Sequence, residues 1–549
     1  MPAAARWVYA VVSGFVHSAT GKVILAKIVG AVVTAGAVLT ANKILGKMLV
    51  PSIGDMMQRG ISIQDNAPSN TAPIPCVYGR RQVGGTRIFI ETTGDNNRFL
   101  HLVLAIAEGE VSELHQVYIN NEELYNANGS INEKFIGGTD GQKRAYVSVN
   151  FHPGTDNQAA DATLVSATST ATANWNSSCK LSGICYAYVK LEYDTEIWSS
   201  GFPIVNFDIS GKKVRDPRET TVDASGLLRF SDNPAICIRD YLINSRYGRN
   251  ISTSEINDAS FITAANYCDE EITIDNITQK RYTANGVVPV GSTAISILEE
   301  LLTACRGMLI FSAGQYKLVL DKVDSSVFSF TTDNMIGDIT VAVGSKSTQW
   351  NRVKSTFYNK EKEWASDFSI QDNATARATT DNGLLLEGSL ELPYTSDYLT
   401  AAMIAEQSLK QSRESLVVIF KSTIEGLQVE CGDVVDITSD SLGWTNKKFR
   451  VLQVAIEALD EISFTAKEYS DDVYTIGDIE NQVLEPNTDL PDIANVQMVT
   501  NLTASEDLLF NKPTLINRVT LSWDVADDTY ATKYIVSMKK GNWSDPRSR

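Results

Sequence analysis

Histidine is scarce in this sequence, which has four among its 549 residues: His17, His101, His115 and His152. His101 and His115 lie within "HLV" and "HQV", in the two limbs of a predicted β-hairpin, where no nucleophile or paired metal ligand accompanies them. His152 in "FHPG" is interpreted as a turn residue. The sequence therefore offers no catalytic or metal centre built on histidine.

Cysteine is also sparse, and its pattern argues against a disulfide framework or a zinc site. Cys179 and Cys185 lie six residues apart, with no histidine or second cysteine pair nearby. The odd total of seven, scattered through apolar contexts, predicts reduced thiols that behave as small hydrophobic groups. We expect no cofactor. The seven are Cys76, Cys179, Cys185, Cys237, Cys268, Cys305 and Cys431.

Two further stretches lack the partners that catalysis requires. "GRRQVGG" at residues 79–85 has no Gly-Lys-Ser/Thr ending and lies between predicted strands, so it is not a phosphate loop. Arg80 and Arg81 are expected instead to form salt bridges or a subunit contact. The carboxylate pairs at 299–300 and 471–472 fall on a predicted helix surface and in a predicted linker, so no glycosidase pairing follows. We expect a protein that is not an enzyme.

Basic residues are in deficit: 48 Lys and Arg stand against 66 Asp and Glu, and the formal net charge is −18. Binding to a phosphate backbone works through Lys and Arg that replace counterions, so this balance argues against specific nucleic-acid binding. A negative surface would let DNA pass without adhering. The excess of acidic residues is explained equally well as a means of keeping the protein soluble.

Long apolar runs are rare, and the most apolar stretch, residues 21–50, is too short for an ordinary membrane span. Between Lys27 and Lys43 only 15 residues intervene, which cover roughly 22 Å of helix. The hydrocarbon core of a bilayer is ~30 Å thick. Membrane contact through residues 23–46 stays open because flanking lysines can reach the interface. An internal core helix is a further alternative.

Small residues recur at every fourth position in this stretch, a spacing that lets helix backbones approach closely. A helix that is apolar on all sides must be buried somewhere. We therefore predict that it packs in a homo-oligomeric bundle. The candidate contact residues are Ala26, Gly30, Ala31, Thr34, Ala35, Val38 and Leu39.

Beyond residue 70, strand and helix signals alternate. Asn233 and Pro234 predict the start of one helix, and Ser292 and Ser396 predict the caps of two others. A hairpin is expected to turn at Ala313-Gly314. The residues from 469 to 499 contain no Lys or Arg and seven Asp or Glu, which is typical of a linker.

Six segments, in this order, resemble the tail tip hub proteins of long-tailed bacteriophages, the family of the lambda host-specificity (J) protein. The resemblance covers roughly residues 70 to 470. The segments are "PIPCVYGRRQVGGTRIFIET", "RFLHLVLAIAEGEV", "FSDNPAICIRDYLINSRYG", "FITAANYCDE", "LEELLTACRGMLIFSAGQYKLVLD" and "GLQVECGDVVDITSDSLGW".

The resemblance implies a homotrimeric ring of β-rich hub domains at the tail tip of a virion assembled in the bacterial cytoplasm. Such a ring closes the distal end of the tail tube and contacts the tape-measure protein and other tail tip proteins. It carries receptor-binding or fibre modules on its C-terminal side, for recognition of a host receptor and for DNA ejection. The apolar N-terminal stretch has no counterpart that can be transferred from the family.

The expected fold class is α+β, mostly β, with several domains and a small helical subdomain. Residues after 495 suit the first strands of a fibronectin type III-like β-sandwich, with Trp523 and Tyr534 as its core aromatics; too few residues remain to close the sandwich within the chain. The predicted regions are 1–50 (apolar helical segment), 51–130 (first part of the hub β domain), 131–215 (inserted β and loop-rich domain), 216–325 (helical subdomain with hairpin), 326–468 (second part of the hub β domain), 469–494 (acidic linker) and 495–549 (partial fibronectin type III-like module).

Two hypotheses from other functional classes remain. A membrane-associated adhesive surface protein with fibronectin-like modules would need the N-terminal stretch to insert into a bilayer. An envelope-degrading enzyme carried on a tail would need a catalytic constellation, and the sequence shows none.

Overall fold

A computed structural model describes residues 64, 66, 73–138, 143–168, 174–194, 197–198, 202–219, 228–457, 461–482, 499–511, 514–524, 534 and 536. All the predicted N-terminal contact residues, from Ala26 to Leu39, lie outside this set. The chain divides into two units, Met1–Gln482 and Val483–Arg549. Within the described residues, no helix is both long and apolar enough to span a membrane.

The helices begin at side-chain caps of the expected kind. In the second helix, the side chain of Asn233 accepts a hydrogen bond from the Ala235 amide, and Pro234 occupies the first turn, as predicted. The described helices are α1 (Ala162–Thr168), α2 (Pro234–Ile243), α3 (Asp258–Asp269), α4 (Ala294–Thr303), α5 (Ala374–Thr379) and α6 (Tyr398–Arg413).

Two predicted caps are wrong by one residue. The side chain of Thr293, not Ser292, accepts the hydrogen bond of the Ser296 amide at the start of α4. At α6, Asp397 replaces Ser396 as the cap and accepts from the Thr400 amide at 3.0 Å. In each case the side chain immediately before the first helical residue is the one that reaches the free amides.

The strands follow in chain order. They are β1 (Cys76–Tyr78), β2 (Arg80–Val83), β3 (Thr86–Thr93), β4 (Phe99–Glu108), β5 (Val111–Ile119), β6 (Glu122–Glu123), β7 (Ile136–Gly137), β8 (Arg144–Ala145), β9 (Val147–His152), β10 (Ile184–Glu192), β11 (Val205–Arg215), β12 (Leu228–Phe230), β13 (Glu271–Ile274), β14 (Ile277–Lys280), β15 (Gly286–Val288), β16 (Gly307–Ser312), β17 (Gln315–Leu320), β18 (Ser326–Phe330), β19 (Met335–Val343), β20 (Arg352–Asn359), β21 (Ala365–Asp372), β22 (Glu387–Leu392), β23 (Leu416–Ser422), β24 (Val434–Ser439), β25 (Trp444–Ile456), β26 (Ile462–Glu468), β27 (Thr503–Asn511) and β28 (Thr514–Ser522).

The first part of the first unit is a sandwich of two sheets. One sheet has the strand order β3-β4-β10-β9, and the other has β12-β11-β5-β6 with β2 also paired to β11. Leu104 from β4 and Phe207 from β11 belong to one buried cluster between them. The opposite face of β4 packs through Val103 against Leu164 of α1 and Trp175. Because both faces of β4 are covered, its sequence is apolar at almost every position.

The predicted hairpin of β4 and β5 is wrong. β4 pairs with β3 and β10, whereas β5 pairs with β11 and β6, so the two strands belong to different sheets. Between them, Gly109 has a φ of +85° and carries the chain from one sheet to the other. His101 and His115 are consequently not neighbours in one sheet. Local turn signals do not distinguish a hairpin from a connection between two packed sheets.

A helical core follows in the chain. Helices α2, α3 and α4 bury one cluster together with the β16–β17 hairpin and helix α6. The hairpin turns at Ala313 and Gly314, both with positive φ, as the sequence predicted. Helix α6 covers one face of the three-stranded sheet β21-β20-β22. Four apolar residues on its inner face are buried: Leu399, Met403, Ile404 and Leu409.

A six-stranded sheet of order β18-β24-β25-β26-β23-β19 completes the first unit. In its core the ring centroid of Phe330 lies 4.8 Å from that of Phe420 and 5.0 Å from that of Phe464. Edge-to-face and tilted contacts at such distances are favourable for aromatic rings. Strands outnumber helices across the described residues, and the predicted class, α+β and mostly β, is confirmed.

The second unit contains one described hairpin, in which β27 pairs antiparallel with β28. The ring centroids of Trp523 and Tyr534, the predicted core aromatics, lie 5.5 Å apart in an edge-to-face contact. Residues 469–482 of the predicted acidic linker are counted with the first unit, where Val473 and Ile479 are buried.

Candidate functional site: buried joints and open sheet edges of the first unit

A buried charged cluster, here called the Asp321 joint, connects four parts of the first unit. Asp321 follows β17 and forms ion pairs with Arg306, which follows α4, and with Arg450 of β25. The hydroxyl of Tyr474 donates to Asp321 Oδ1 at 2.5 Å, and the amide of Gln411 on α6 donates to Oδ2 at 3.1 Å. One carboxylate therefore fixes the helical core, helix α6, the six-stranded sheet and the segment after β26.

Electrostatics favours the charged form of Asp321. Burial alone would raise the pKa of this carboxyl, but the positive charges of Arg306 and Arg450 and the hydrogen bond from Tyr474 together hold the pKa below its usual value. Burial disfavours the charged form of the nearby Lys467 ammonium and lowers its pKa. The cluster is stable as a set because each arginine keeps an ionised partner.

This arrangement makes stability depend on pH. The folded pKa of Asp321 is lower than the unfolded one, about 3.9. Its contribution is therefore complete above the unfolded pKa and is lost as the pH falls through the folded pKa. We expect the difference in urea midpoint between the wild-type chain and Asp321→Asn to be constant above about pH 5 and to shrink in more acidic buffer. A difference that grows on acidification would contradict this assignment.

A second cluster, the Asp240 joint, connects strand β1 to helix α2. Asp240 accepts hydrogen bonds from the hydroxyl groups of Tyr78, at 2.7 Å, and Tyr247. Burial raises the pKa of the Asp240 carboxyl, and the two phenols oppose this only in part. Since Tyr78 belongs to β1, which pairs with β15, and Asp240 belongs to α2, the pair attaches helix α2 to the β1–β15 ladder.

A third cluster, the Arg81 joint, differs from the other two because no carboxylate among the described residues pairs with its cation. Arg81 of β2 is 1% exposed. Its guanidinium carbon lies 4.0 Å from the ring centroid of Tyr358 and 5.0 Å from that of Trp364. None of the described residues accepts a hydrogen bond from its three side-chain nitrogens. Burial lowers the pKa of Arg81 to about 10.

The adjacent arginine is paired in the ordinary way. Arg80 Nη2 lies 2.6 Å from Asp208 Oδ2 on β11, and the Arg80 amide donates to Asn285 Oδ1 at 2.8 Å. The sequence predicted salt bridges or a subunit contact for both arginines. The salt bridge is correct for Arg80, whereas Arg81 lies between aromatic rings inside the subunit.

Hydrogen-bonding neighbours account for the positions of His101 and His152. The two ring nitrogens of His101 lie 2.7 Å from the hydroxyl oxygens of Thr93 and Tyr188. His152 lies at the end of β9, not in a turn, and its Nε2 is 2.9 Å from Asp161 Oδ2. Throughout the part of the chain that the structure covers, no group of three His, Cys, Asp or Glu side chains could hold a metal ion.

Strands β3 and β21 are sheet edges that expose apolar side chains. Strand β3 pairs with β4 on one side, and strand β21 with β20 on one side; neither has a second partner among the described strands. Ile90 on β3 and Phe368 on β21 are each 48% exposed, and Ile88 and Ile370 next to them are also exposed. Long edge strands with apolar side chains are the places where other chains add. They are the candidate interaction surfaces of the first unit.

Sequence reasoning missed these features for different reasons. The exposed edges carried a signal, since β3 and β21 alternate in polarity, but alternation does not show which strand ends a sheet. Almost nothing in the sequence indicates the joints, because residues 306, 321, 450 and 474 meet only after folding. The predicted contacts of the N-terminal stretch fall outside the described residues and stay predictions.

The chain was compared with known proteins. A family model described as "Putative phage tail protein" matches residues 293–454. The chain is 23% identical over 483 residues to the baseplate hub protein pb3 of Escherichia phage T5, covering 77% of this chain and 50% of that protein. It is 23% identical over 275 residues to the tip attachment protein J of Escherichia phage SECphi27, covering 46% of this chain and 22% of that protein.

A solved structure, the virion of a native gene transfer agent particle, contains a chain of the same fold. The TM-score is 0.56 at 15% identity, and the match covers 85% of this chain and 99% of that one. This chain spans half the length of the T5 relative and less than a quarter of the SECphi27 relative. As the order of its sequence segments predicted, the chain is similar to tail tip and baseplate hub proteins of bacteriophages.

Proposed function

We propose that this chain is a structural protein of the virion that forms the homotrimeric hub at the distal tip of a phage tail. In that role it closes the tail tube, contacts the tape-measure protein and connects to receptor-binding modules for host recognition and DNA ejection. The observation that carries the proposal is the match to a baseplate hub protein over 77% of the chain. The proposal needs no catalytic step.

The open edges of the first unit support assembly into a ring. β3 and β21 are different surfaces of one subunit. A contact that joins different surfaces of neighbouring copies is head-to-tail, and it closes into a ring when the rotation between copies is right. We expect neighbouring copies to cover the exposed side chains of Ile90 and Phe368. The Asp321 and Asp240 joints support the same role because they hold separate elements of each subunit together.

The net charge of −18 agrees with a tube that DNA must leave. Fixed negative charges along a bore repel the phosphate backbone and keep it from adhering. We expect residues that line the lumen of the ring to be more acidic than those on its outer surface.

The apolar N-terminal stretch is proposed to pack with its copies or with tape-measure helices on the axis of the ring. Deleting residues 21–49 is expected to abolish trimers and normal tails. Gly30→Leu combined with Thr34→Leu keeps the stretch apolar but blocks close approach of helices, so it should reduce the trimer fraction at least about tenfold. Val32→Leu adds bulk away from those two positions and serves as the control. The measurement is native mass spectrometry of the purified chain together with electron microscopy of tails.

Normal trimers and tails after the deletion would contradict this contact. Loss of trimers with Val32→Leu as well would show that added volume, not close approach of the small residues, causes the defect.

A further inference from the structure

The Arg81 joint combines two features that make a closed state costly. The first is the buried guanidinium of Arg81, which has an aromatic ring at 4.0 Å and another at 5.0 Å. Within the described part of the chain its nitrogens meet no acceptor. Contacts with aromatic faces recover only part of the hydration that a cation loses on burial.

The second feature is the turn that presents Trp364. Glu363 and Trp364 connect β20 to β21 with φ values of +52° and +60°. Side chains of this size disfavour the left-handed region, and such backbone persists only where the surroundings hold it. Residues 360–363 are exposed, whereas the Trp364 side chain is 5% exposed. A turn on the surface thus holds one large aromatic residue inward, against Arg81.

The other side of the joint is fixed. Arg80 is anchored to β11 through Asp208 and to Asn285 through its amide. Within β2, Arg81 itself is in register with Ile209 of β11. Separation at the joint therefore moves the tip of the β20–β21 hairpin and leaves β2 in its sheet.

We propose that the Arg81 joint is a latch between β2 and the β20–β21 hairpin tip, closed in the isolated subunit and ready to open. Opening hydrates the guanidinium of Arg81 and lets Glu363 and Trp364 leave the left-handed region. Both gains offset the loss of apolar contact around Trp364, so a modest force or a competing contact suffices to shift the equilibrium. The use of this opening during DNA ejection rests on the proposed function; the latch does not.

Hydrogen exchange of the purified full chain, followed by mass spectrometry, tests the latch. Arg81→Met keeps an unbranched apolar side chain but removes the guanidinium and its charge, so amides from Glu363 to Phe368 should exchange roughly tenfold more slowly than in the wild type. Arg80→Met is the matched control, because it removes a paired arginine from the neighbouring position. It should not slow exchange at the hairpin tip. Faster exchange in Arg81→Met than in the wild type would overturn the proposal.

A second variant separates charge from shape. Arg81→Lys keeps a buried cation but loses the planar group that lies over the rings. Its hairpin tip should exchange at least as fast as that of the wild type. Slowing equal to that of Arg81→Met would show that the buried charge is not what favours opening, and would overturn the latch.

The consequence for ejection is measured separately on phage that carry Arg81→Met. Slower ejection of DNA on receptor contact, with slower exchange in the purified chain, supports both the latch and the proposed function. Slower exchange with unchanged ejection keeps the latch and removes its role in ejection.

Discussion

Replacing Asp321 with alanine is expected to lower the free energy of unfolding of the first unit by about 3–5 kcal/mol, since it removes one partner of a buried ion-pair cluster. The side chains of Arg306 and Arg450, 7% and 6% exposed, would then lie buried without this carboxylate. The hydroxyl of Tyr474 would lose its acceptor as well. The midpoint of urea unfolding, followed by tryptophan fluorescence, measures the effect.

The matched control is Asp338→Ala, which removes an exposed aspartate from a strand of the same six-stranded sheet. A surface change of this kind is expected to alter stability by less than about 0.5 kcal/mol. If both variants unfolded at the same urea concentration, the Asp321 joint would not stabilise the first unit in the way described.

Replacing Gly79 with alanine is the second large effect. Gly79 connects β1 to β2 with a φ of +63°, and a Cβ atom there would lie 2.1 Å from the Ala284 carbonyl oxygen. The Ala284 oxygen belongs to the backbone and cannot rotate away, and the side-chain Oδ1 of Asn285 would lie at 2.4 Å, so the loop that carries Ala284 and Asn285 would have to shift. We expect a loss of about 2–4 kcal/mol from the clash and the left-handed backbone together.

Gly314→Ala separates these two causes. Gly314 also has a positive φ, +81°, but a Cβ atom at this hairpin turn meets nothing within 4 Å. It should lose only the roughly 1 kcal/mol that the left-handed conformation costs an alanine. The additional loss of unfolding free energy in Gly79→Ala, measured by thermal unfolding of both variants, reports how closely the turn between β1 and β2 approaches the segment before β15. Equal losses would argue against that close approach.

The elements that sequence patterns predicted well are those with local causes. The start of α2 follows from Asn233 and Pro234, whose effects act within one helical turn. The β16–β17 hairpin follows from a turn in which Ala313 and Gly314 both adopt positive φ. Helix α6 has its core residues at helical spacing. Its predicted cap was one residue early because Ser396 and Asp397 can both cap a helix.

What sequence patterns did not predict depends on contacts between distant segments. Gly109 resembles a hairpin turn, yet β4 and β5 find their partners in β10 and β11, more than 60 residues further along. The burial of Arg81 is invisible in "GRRQV", where it stands next to an arginine that is paired on the surface. Burial of a charge depends on the segment that covers it, and here that segment begins almost 280 residues later, with Tyr358.

The most direct test of the account is an electron cryomicroscopy reconstruction of the tail tip of the intact virion that contains this chain. We expect three copies arranged as a ring across the end of the tube, with the edges of β3 and β21 covered by neighbouring copies. A solitary monomer in solution, together with the absence of the chain from the particles, would contradict it.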